Sequence, residues 1–358
     1  MKIGILTFQR AYNYGAVLQA YALQRAISKL GADSEIIDYI NSSTQEKIKL
    51  FRYNSKYSLK NNILKFFKDF YRVGKQRKFN YFLKTYTVLS FKPFYTFDEM
   101  VELDKQDVYD SYIVGSDQVW NIGNNGGDKT FLLAFVKNNK KRNSYAASFG
   151  SCKLNKEQTE LYAKELSHFN IITVREENAL DSFPFLIEND AHVVLDPTLL
   201  LDKEDYLKII SKRLVKRRYA FLYTVPKADR LRSFAKEYCK KNGLILIDIK
   251  KSYKAFVESA PEDFLSFIAN AEMVFTNSFH GTAFSIIMER QFITEVNSPK
   301  TKNVRSYDLL KLLGLLNRDM NDDFFNAEQK IDYFTVRDRL KLVKENSYLY
   351  LRKIVLDE

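Results

Sequence analysis

Short apolar runs alternate with amphipathic segments along most of the 358-residue chain, and this alternation restricts the fold more than any other feature. Runs of three to seven largely apolar residues suit buried strands, and apolar residues at helical spacing follow most of them. The predicted strands cover residues 2–8, 34–39, 111–114, 143–149, 171–174, 193–196, 219–225, 244–249, 273–276 and 292–294. Such alternation predicts an α/β fold with two doubly wound, Rossmann-like domains that face each other across a cleft.

Two segments depart from the strand and helix alternation. Residues 43–100 are rich in aromatic and basic side chains with apolar residues at helical spacing. We interpret them as a basic insertion of two amphipathic helices within a first domain of residues 1–200. A second domain is expected over residues 201–326. The amphipathic stretch 327–358 is expected to form a helical segment that packs back across the domains.

The net charge of +12 favours anionic partners, and most of it lies in one segment. Residues 46–92 contain thirteen Lys and Arg against two Asp and Glu. The helices expected here either cover the first domain with their lysines in water, or they contact an anionic membrane surface. A nucleic-acid partner is not expected, because no RNP, zinc-finger or helix-turn-helix signature occurs.

Several classes of protein are disfavoured by what the sequence lacks. It has no apolar run of 18 residues and no signal-peptide core, which predicts a cytoplasmic protein, with contact to the inner face of the membrane left open. Cys152 and Cys239 lie far apart without metal-ligand spacing, so neither a disulfide nor a metal site is expected. No GxGxxG or GxxxxGK[ST] occurs, and no bound cofactor is predicted.

The stretch 272–293 reads as a buried strand, a polar turn and a helix that begins beside a histidine. Asn277 and Ser278 are good N-cap residues, which places His280 in or just before the first helical turn. Free backbone N–H groups at a helix N-terminus suit a phosphate or carboxylate, and an imidazole there could move protons next to the bound anion. The alternative is a packed, hydrogen-bonded turn histidine.

Polar residues that follow two predicted strands of the first domain are candidates for contacts with sugar hydroxyls. They are Asn13 and Tyr14 after the first strand, and Asp117, Gln118, Trp120 and Asn121 in the loop GSDQVWN. Ligands bind at the carboxyl ends of strands in α/β sheets, where all of these residues are expected. Trp120 either stacks on a sugar face or belongs to the core.

Cations near the expected cleft are candidates for binding an anionic donor. Arg175 directly follows a predicted strand, and its guanidinium either grips a carboxylate or phosphate as a fork or pairs with neighbouring Glu176. Three further cations precede a predicted helix, namely Lys300, Lys302 and Arg305. They either cover the cleft near His280 or are surface charges of a loop.

Four segments of the chain resemble the polysaccharide pyruvyl transferase family over about residues 2–316. They are NYGAVLQAYAL, VREENAL, VVLDPTLLL and NSFHG, the last of which contains His280. The resemblance implies transfer of the carboxyethylidene group of phosphoenolpyruvate, as co-substrate, to sugar hydroxyls of a cell-surface glycan or its precursor. It also implies that His280 is the catalytic acid and that Arg175, Asn277 and Ser278 belong to the donor site.

The sequence departs from the family pattern in ways that keep alternatives open. Ser278 stands where relatives often carry an arginine, so Lys300, Lys302 or Arg305 must supply part of the anion grip. One alternative function is a glycosyltransferase of the GT-B type that uses a nucleotide sugar. Another is a non-catalytic, membrane-associated protein of glycan assembly. The acceptor sugar, and whether lipid carries it, are not decided by these motifs.

Overall fold

The computed structural model describes residues 1–50, 58–225, 228–249, 259–296 and 304–356. Its strands are β1 Lys2–Leu6, β2 Asp33–Ile36, β3 Ser111–Val114, β4 Arg142–Ser144, β5 Thr173–Val174, β6 His192–Val193, β7 Tyr219–Tyr223, β8 Ile245–Asp248, β9 Met273–Thr276 and β10 Phe292–Thr294. The α-helices are Tyr14–Lys29, Ser42–Ile48, Leu59–Tyr86, Phe97–Lys105, Ile122–Asn125, Lys156–Leu166, Glu177–Ser182, Pro184–Glu188, Lys203–Leu207, Asp229–Asn242, Pro261–Asn270, Phe279–Ile287, Val304–Leu313 and Tyr333–Leu356.

The described strands form parallel sheets in two halves of the chain. The first sheet has the order β2-β1-β3-β4, and bridges from Asn143 to Ile171 and from Ala147 to Val174 continue it to the pair β5-β6. The second has the order β10-β9-β7-β8. Parallel strands with helical crossovers bury both faces of a sheet. The predicted fold class is confirmed as α/β with two doubly wound, GT-B-like domains, whereas the exact domain boundaries stay predictions.

Some strands are shorter than the sequence pattern predicts. The strand predicted over residues 143–149 ends at Ser144, because Ala146 adopts a φ of 50° and its N–H donates to the Thr173 hydroxyl. The run predicted over residues 2–8 ends at Leu6. In both cases the apolar residues continue into buried loops at the carboxyl edge of the sheet, and periodicity does not distinguish such loops from strand.

The basic insertion contains one long helix, Leu59–Tyr86, which we call the insertion helix. Its carboxyl-terminal half covers the first domain, since Phe79, Phe82 and Leu83 are fully buried in the main core. Its amino-terminal half is different, with Phe66 49% and Phe70 62% exposed. The covering role that the sequence allowed therefore describes the second half of this helix.

An apolar core joins the two domains. The ring of Tyr14 stacks on that of Phe264 with centroids 4.5 Å apart, and its hydroxyl donates to the Ser259 carbonyl at 3.2 Å. The C-terminal helix Tyr333–Leu356 packs back as predicted. Its Ser347 hydroxyl accepts from the Leu195 N–H at 3.0 Å. None of the helices in the described ranges is long and apolar enough to cross a bilayer.

Candidate active site

A cavity of about 580 Å³ lies where the carboxyl ends of strands from both domains meet. The loop after β1 contributes Asn13, and the loop after β3 contributes Asp117 and Gln118. Across the cleft, β7 and its loop contribute Tyr223, and the turn after β9 contributes Ser278 and His280. This is the edge at which parallel α/β sheets bind ligands, and the volume fits a pocket for small molecules.

A tight turn places His280 on the cavity wall. The Ser278 N–H donates to the Thr276 hydroxyl at 3.1 Å, and the Asn277 carboxamide oxygen accepts from the Val225 N–H at 2.7 Å. Ser278 is the N-cap of the helix Phe279–Ile287 and its side chain makes no capping bond. The predicted placement of the histidine in the first helical turn is therefore what the structure has.

The imidazole of His280 is held between two features of the first domain. Its Nε2 lies 3.8 Å from Oδ2 of Asp196, and 12% of the side chain stays exposed, on the wall of the cavity. On the other side is Gly15, where an added Cβ would lie 2.1 Å from the imidazole Nδ1. The φ angle of Gly15 is not positive, so its backbone conformation does not itself require glycine. A glycine is needed there because the ring approaches the helix backbone so closely.

Asp196 is a fully buried carboxylate at the centre of a hydrogen-bond network. Its Oδ1 accepts from the Thr198 N–H at 3.0 Å and the Thr198 hydroxyl at 2.7 Å, and its Oδ2 accepts from Nη1 of Arg175 at 2.8 Å. Burial alone would raise the pKa of Asp196. The neighbouring His280 and Arg175, with the Thr198 bonds, outweigh burial and hold this pKa well below its usual range.

Arg175 is an internal cation rather than part of the cavity wall. Only 1% of its side chain is exposed, and its guanidinium also lies 3.6 Å from Glu176 and 3.8 Å from Asp117. Burial lowers the pKa of Arg175, but the three carboxylates raise it by more. Its Nε and Nη2 atoms make no hydrogen bond to the described residues. The Nη1 atom of Arg175 already donates to Asp196, so an anionic donor would have to compete for it. The donor contact predicted for Arg175 stays a prediction.

Arg305 is the cation that lines the cavity beside the His280 turn. It is half-buried, and its guanidinium lies 5.4 Å from the centre of the Phe279 ring, while that of Arg175 lies 5.6 Å from the same ring. No carboxylate in the described part of the chain comes within ion-pair distance of Arg305. Desolvation, with the charge of Arg175, lowers the pKa of Arg305 to about 10. Lys300 and Lys302 lie outside the described residues.

Three residues proposed from the sequence for the acceptor are turned away from the cavity. Trp120 is fully buried, and its indole N–H donates to the Phe131 carbonyl at 2.9 Å, so the core alternative is the correct one. Tyr14 is committed to the contact between domains. Asn121 caps the short helix Ile122–Asn125 by accepting from the Gly123 N–H. Asn277, predicted for the donor, is 1% exposed and ties the turn to Val225.

Sequence reasoning missed two parts of the site. Asp196 was interpreted only as the end of a strand, although its position after β6 places it beside Arg175 after β5. The cavity is also lined by Lys47, Arg72 and Lys75 of the basic insertion. Their charge was visible in the sequence, but their direction depends on where the insertion helix docks.

The chain has two doubly wound domains, and a cationic cavity that contains a histidine lies at their facing sheet edges. This arrangement defines a GT-B-like α/β protein. The model of the family described as polysaccharide pyruvyl transferase matches residues 13–299. This chain belongs to that family. The match includes His280, Arg175 and Asp196, whereas Arg305 lies beyond it.

Comparison with solved structures gives likeness of fold alone. The structures that match include an α-glucosyltransferase in complex with UDP. 

For the α-glucosyltransferase, the match covers 99% of this chain and 93% of that chain, with a TM-score of 0.48 and 9% identity. UDP-GlcNAc 2-epimerase from Neisseria meningitidis, bound to UDP-GlcNAc, is 9% identical with a TM-score of 0.47, and the match covers 99% of this chain and 94% of that chain. UDP-GlcNAc 2-epimerase from Methanocaldococcus jannaschii is 14% identical with a TM-score of 0.45, over 96% of this chain and 93% of that chain. No curated protein matches the chain.

We expect the substitution Asp196→Asn to lower the free energy of unfolding by about 3–5 kcal/mol, because it leaves Arg175 buried without its closest countercharge. The folded-state pKa of Asp196 is depressed. The ionised carboxylate therefore stabilises the folded protein fully above the unfolded-state pKa of about 3.9, and this stabilisation is lost as pH falls further. Below about pH 4 the wild type should therefore lose stability more steeply than the variant.

Urea unfolding followed across this pH range measures both effects. Asp190→Asn is the matched control, since the Asp190 side chain is 92% exposed and its pair with His192 should contribute less than about 1 kcal/mol. Equal losses for the two variants would contradict a structural role for the buried carboxylate.

Proposed function

We propose that this chain transfers the pyruvyl group of phosphoenolpyruvate to two hydroxyls of a cell-surface glycan or its precursor, forming a pyruvate ketal. Membership of the polysaccharide pyruvyl transferase family supports the reaction class. The single observation that carries the proposal is that His280 lies on the wall of a cationic cavity, beside Arg305 and backed by Asp196.

The reaction needs a proton donor and cations. One acceptor hydroxyl attacks C2 of phosphoenolpyruvate and loses its proton while C3 takes up a proton, and inorganic phosphate then leaves, taking up a proton, to give an oxocarbenium ion. The second hydroxyl attacks this ion and releases a proton, which completes the ketal. His280 is suited to supply the first proton, because histidine is the side chain that most often serves as a general acid or base. The Asp196 carboxylate lies 3.8 Å from the imidazole Nε2, which places a negative charge beside the ring.

Arg305 is suited to hold the carboxylate or phosphate of the donor. It lines the cavity next to Ser278, the position at which relatives often carry an arginine. A partly desolvated guanidinium without a protein carboxylate gains more from an anionic ligand than one that is already paired. Asn13, Asp117 and Gln118 line the same cavity and are our proposed contacts to the acceptor hydroxyls.

The test is release of inorganic phosphate from phosphoenolpyruvate in the presence of a glycan acceptor. His280→Gln should reduce turnover at least about 100-fold, a typical contribution of general acid catalysis. His168→Gln is the matched control, since His168 is half-buried and does not line the cavity. Wild-type turnover in His280→Gln would remove this histidine from the mechanism. Release of a nucleoside diphosphate from a nucleotide sugar, with none of phosphate, would favour the glycosyltransferase alternative.

The close approach of Gly15 to the imidazole gives an independent test of its position. Gly15→Ala should displace the ring of His280, because the added Cβ would overlap the imidazole Nδ1. We expect turnover to fall at least about tenfold, as misplacement of a catalytic group by about 1 Å costs up to 100-fold. Gly74→Ala is the control, because nothing lies within 4 Å of a Cβ at that position. Equal phosphate release by both variants would contradict the proposed positioning.

We further propose a cytoplasmic location in which the insertion helix contacts the anionic inner face of the membrane. The net positive charge of residues 46–92 and the exposed rings of Phe66 and Phe70 support this contact. Sedimentation with anionic vesicles should be strong at low salt and weak at high salt, and Phe66→Ser with Phe70→Ser should reduce it. Equal, negligible sedimentation with anionic and neutral vesicles would disprove membrane contact and leave the proposed reaction intact.

A further inference from the structure

The C-terminal helix Tyr333–Leu356 has a row of apolar side chains on its outer face. Leu342, Leu349 and Leu356 follow one another at seven-residue intervals and are 69%, 46% and 45% exposed. The opposite face is packed into the main core through residues such as Ile354. Seven residues are nearly two helical turns, so the three leucines, which we call the leucine row, extend for about 21 Å along one face. Exposed apolar residues are usually scattered singly, and a continuous row indicates a contact surface.

Charged side chains lie on both flanks of the leucine row. Since successive helical residues are rotated by about 100°, Glu345 and Arg352 lie on one flank of Leu349, and Lys353 lies on the other. All three charged residues are exposed. Glu345 and Arg352 are separated by about 10 Å along the axis, which is too far for these two residues to pair with each other in one helix. A partner helix could bring opposite charges together where the single helix does not.

The charges on the flanks suit a second copy of the same helix in the antiparallel direction. With a twofold axis at Leu349, the middle of the row, each leucine row covers the other along its whole length. Equal flanks of the two helices then face each other, which brings Glu345 of each copy beside Arg352 of the other. A parallel pair would bring unequal flanks together, so that Arg352 of one copy would lie beside Lys353 of the other and repel it. Flanking charges of this kind set the orientation of paired helices.

We propose that the leucine row binds a second copy of this chain, through an antiparallel, twofold contact between C-terminal helices. A single pair of helices of this length buries less than the standard protein interface of about 1,600 Å², so we expect dissociation in the micromolar range of protein concentration. The inner face of the same helix supports the candidate active site, because the Ser347 hydroxyl accepts from the Leu195 N–H beside Asp196. The contact would therefore brace a helix that holds the Asp196 segment. The inference does not depend on the proposed reaction.

Analytical ultracentrifugation of the full chain over a series of protein concentrations tests the contact. The wild type should show a reversible equilibrium between monomer and dimer. Leu349→Asp should weaken the dimer at least about tenfold, because it places two carboxylates against each other at the twofold axis. Leu214→Asp is the matched control, since Leu214 is also 46% exposed but lies in the loop before β7. Circular dichroism should show the same helix content in both variants, because both leucines are exposed.

An exchange of charges tests the orientation of the two helices. Glu345→Arg should weaken the dimer, because two cations then meet on one flank, and the addition of Arg352→Glu should restore it. Such recovery would support the antiparallel contact, since a misfolded variant or an unspecific apolar contact would not be rescued. A wild type that stays monomeric, a dimer that Leu349→Asp leaves intact, or a charge exchange without recovery would overturn the proposal. Vesicle binding that Leu349→Asp removes, in a wild type without dimer, would overturn it in favour of a membrane contact.

Discussion

The buried carboxylate of Asp196 is the group on which the rest of the site depends. Removing a carboxylate from water costs several kcal/mol, and hydrogen bonds from Thr198 and Arg175 offset that cost. Arg175 and Asp196 follow β5 and β6, which pair in parallel from Thr173–His192 to Val174–Val193. The ion pair therefore joins two neighbouring strand ends. Since the Nε2 atom of His280 comes within 3.8 Å of the same carboxylate, it also links the two domains at the cavity.

The packing of the two domains sets the position of the imidazole. Tyr14 stacks on Phe264 across the domain boundary, and the next residue, Gly15, faces the His280 ring. An apolar contact that resists separation therefore lies directly beside the contact that positions the proposed acid. Electrostatic catalysis depends on groups that are already oriented before reaction, because reorienting them would add to the barrier. Rigid docking at Tyr14 is a physical means of providing that orientation.

The parts of the site that local sequence determines were predicted, and the parts that long-range packing determines were not. His280 was correctly placed because an apolar run, two capping residues and helical periodicity lie within 22 residues. The same reasoning left Trp120 undecided, since its burial depends on Phe131 and Phe149 from other segments. Likewise, the charge of Lys75 was evident, but its direction into the cavity depends on how the insertion helix packs on the first domain. Composition does not determine such docking.

The two arginines near Phe279 differ in how far neighbouring carboxylates compensate their charge. Arg175 has three carboxylates within 4 Å, so its field at the cavity is largely cancelled by the protein. Arg305 has no such partner among the described residues, and desolvation lowers its pKa to about 10. An anion that reaches Arg305 relieves this desolvation, whereas one that reaches Arg175 must compete with Asp196. Relatives often carry an arginine at the position of Ser278. The serine in this chain is still compatible with an anionic donor, because a cation from the helix Val304–Leu313 faces the same cavity.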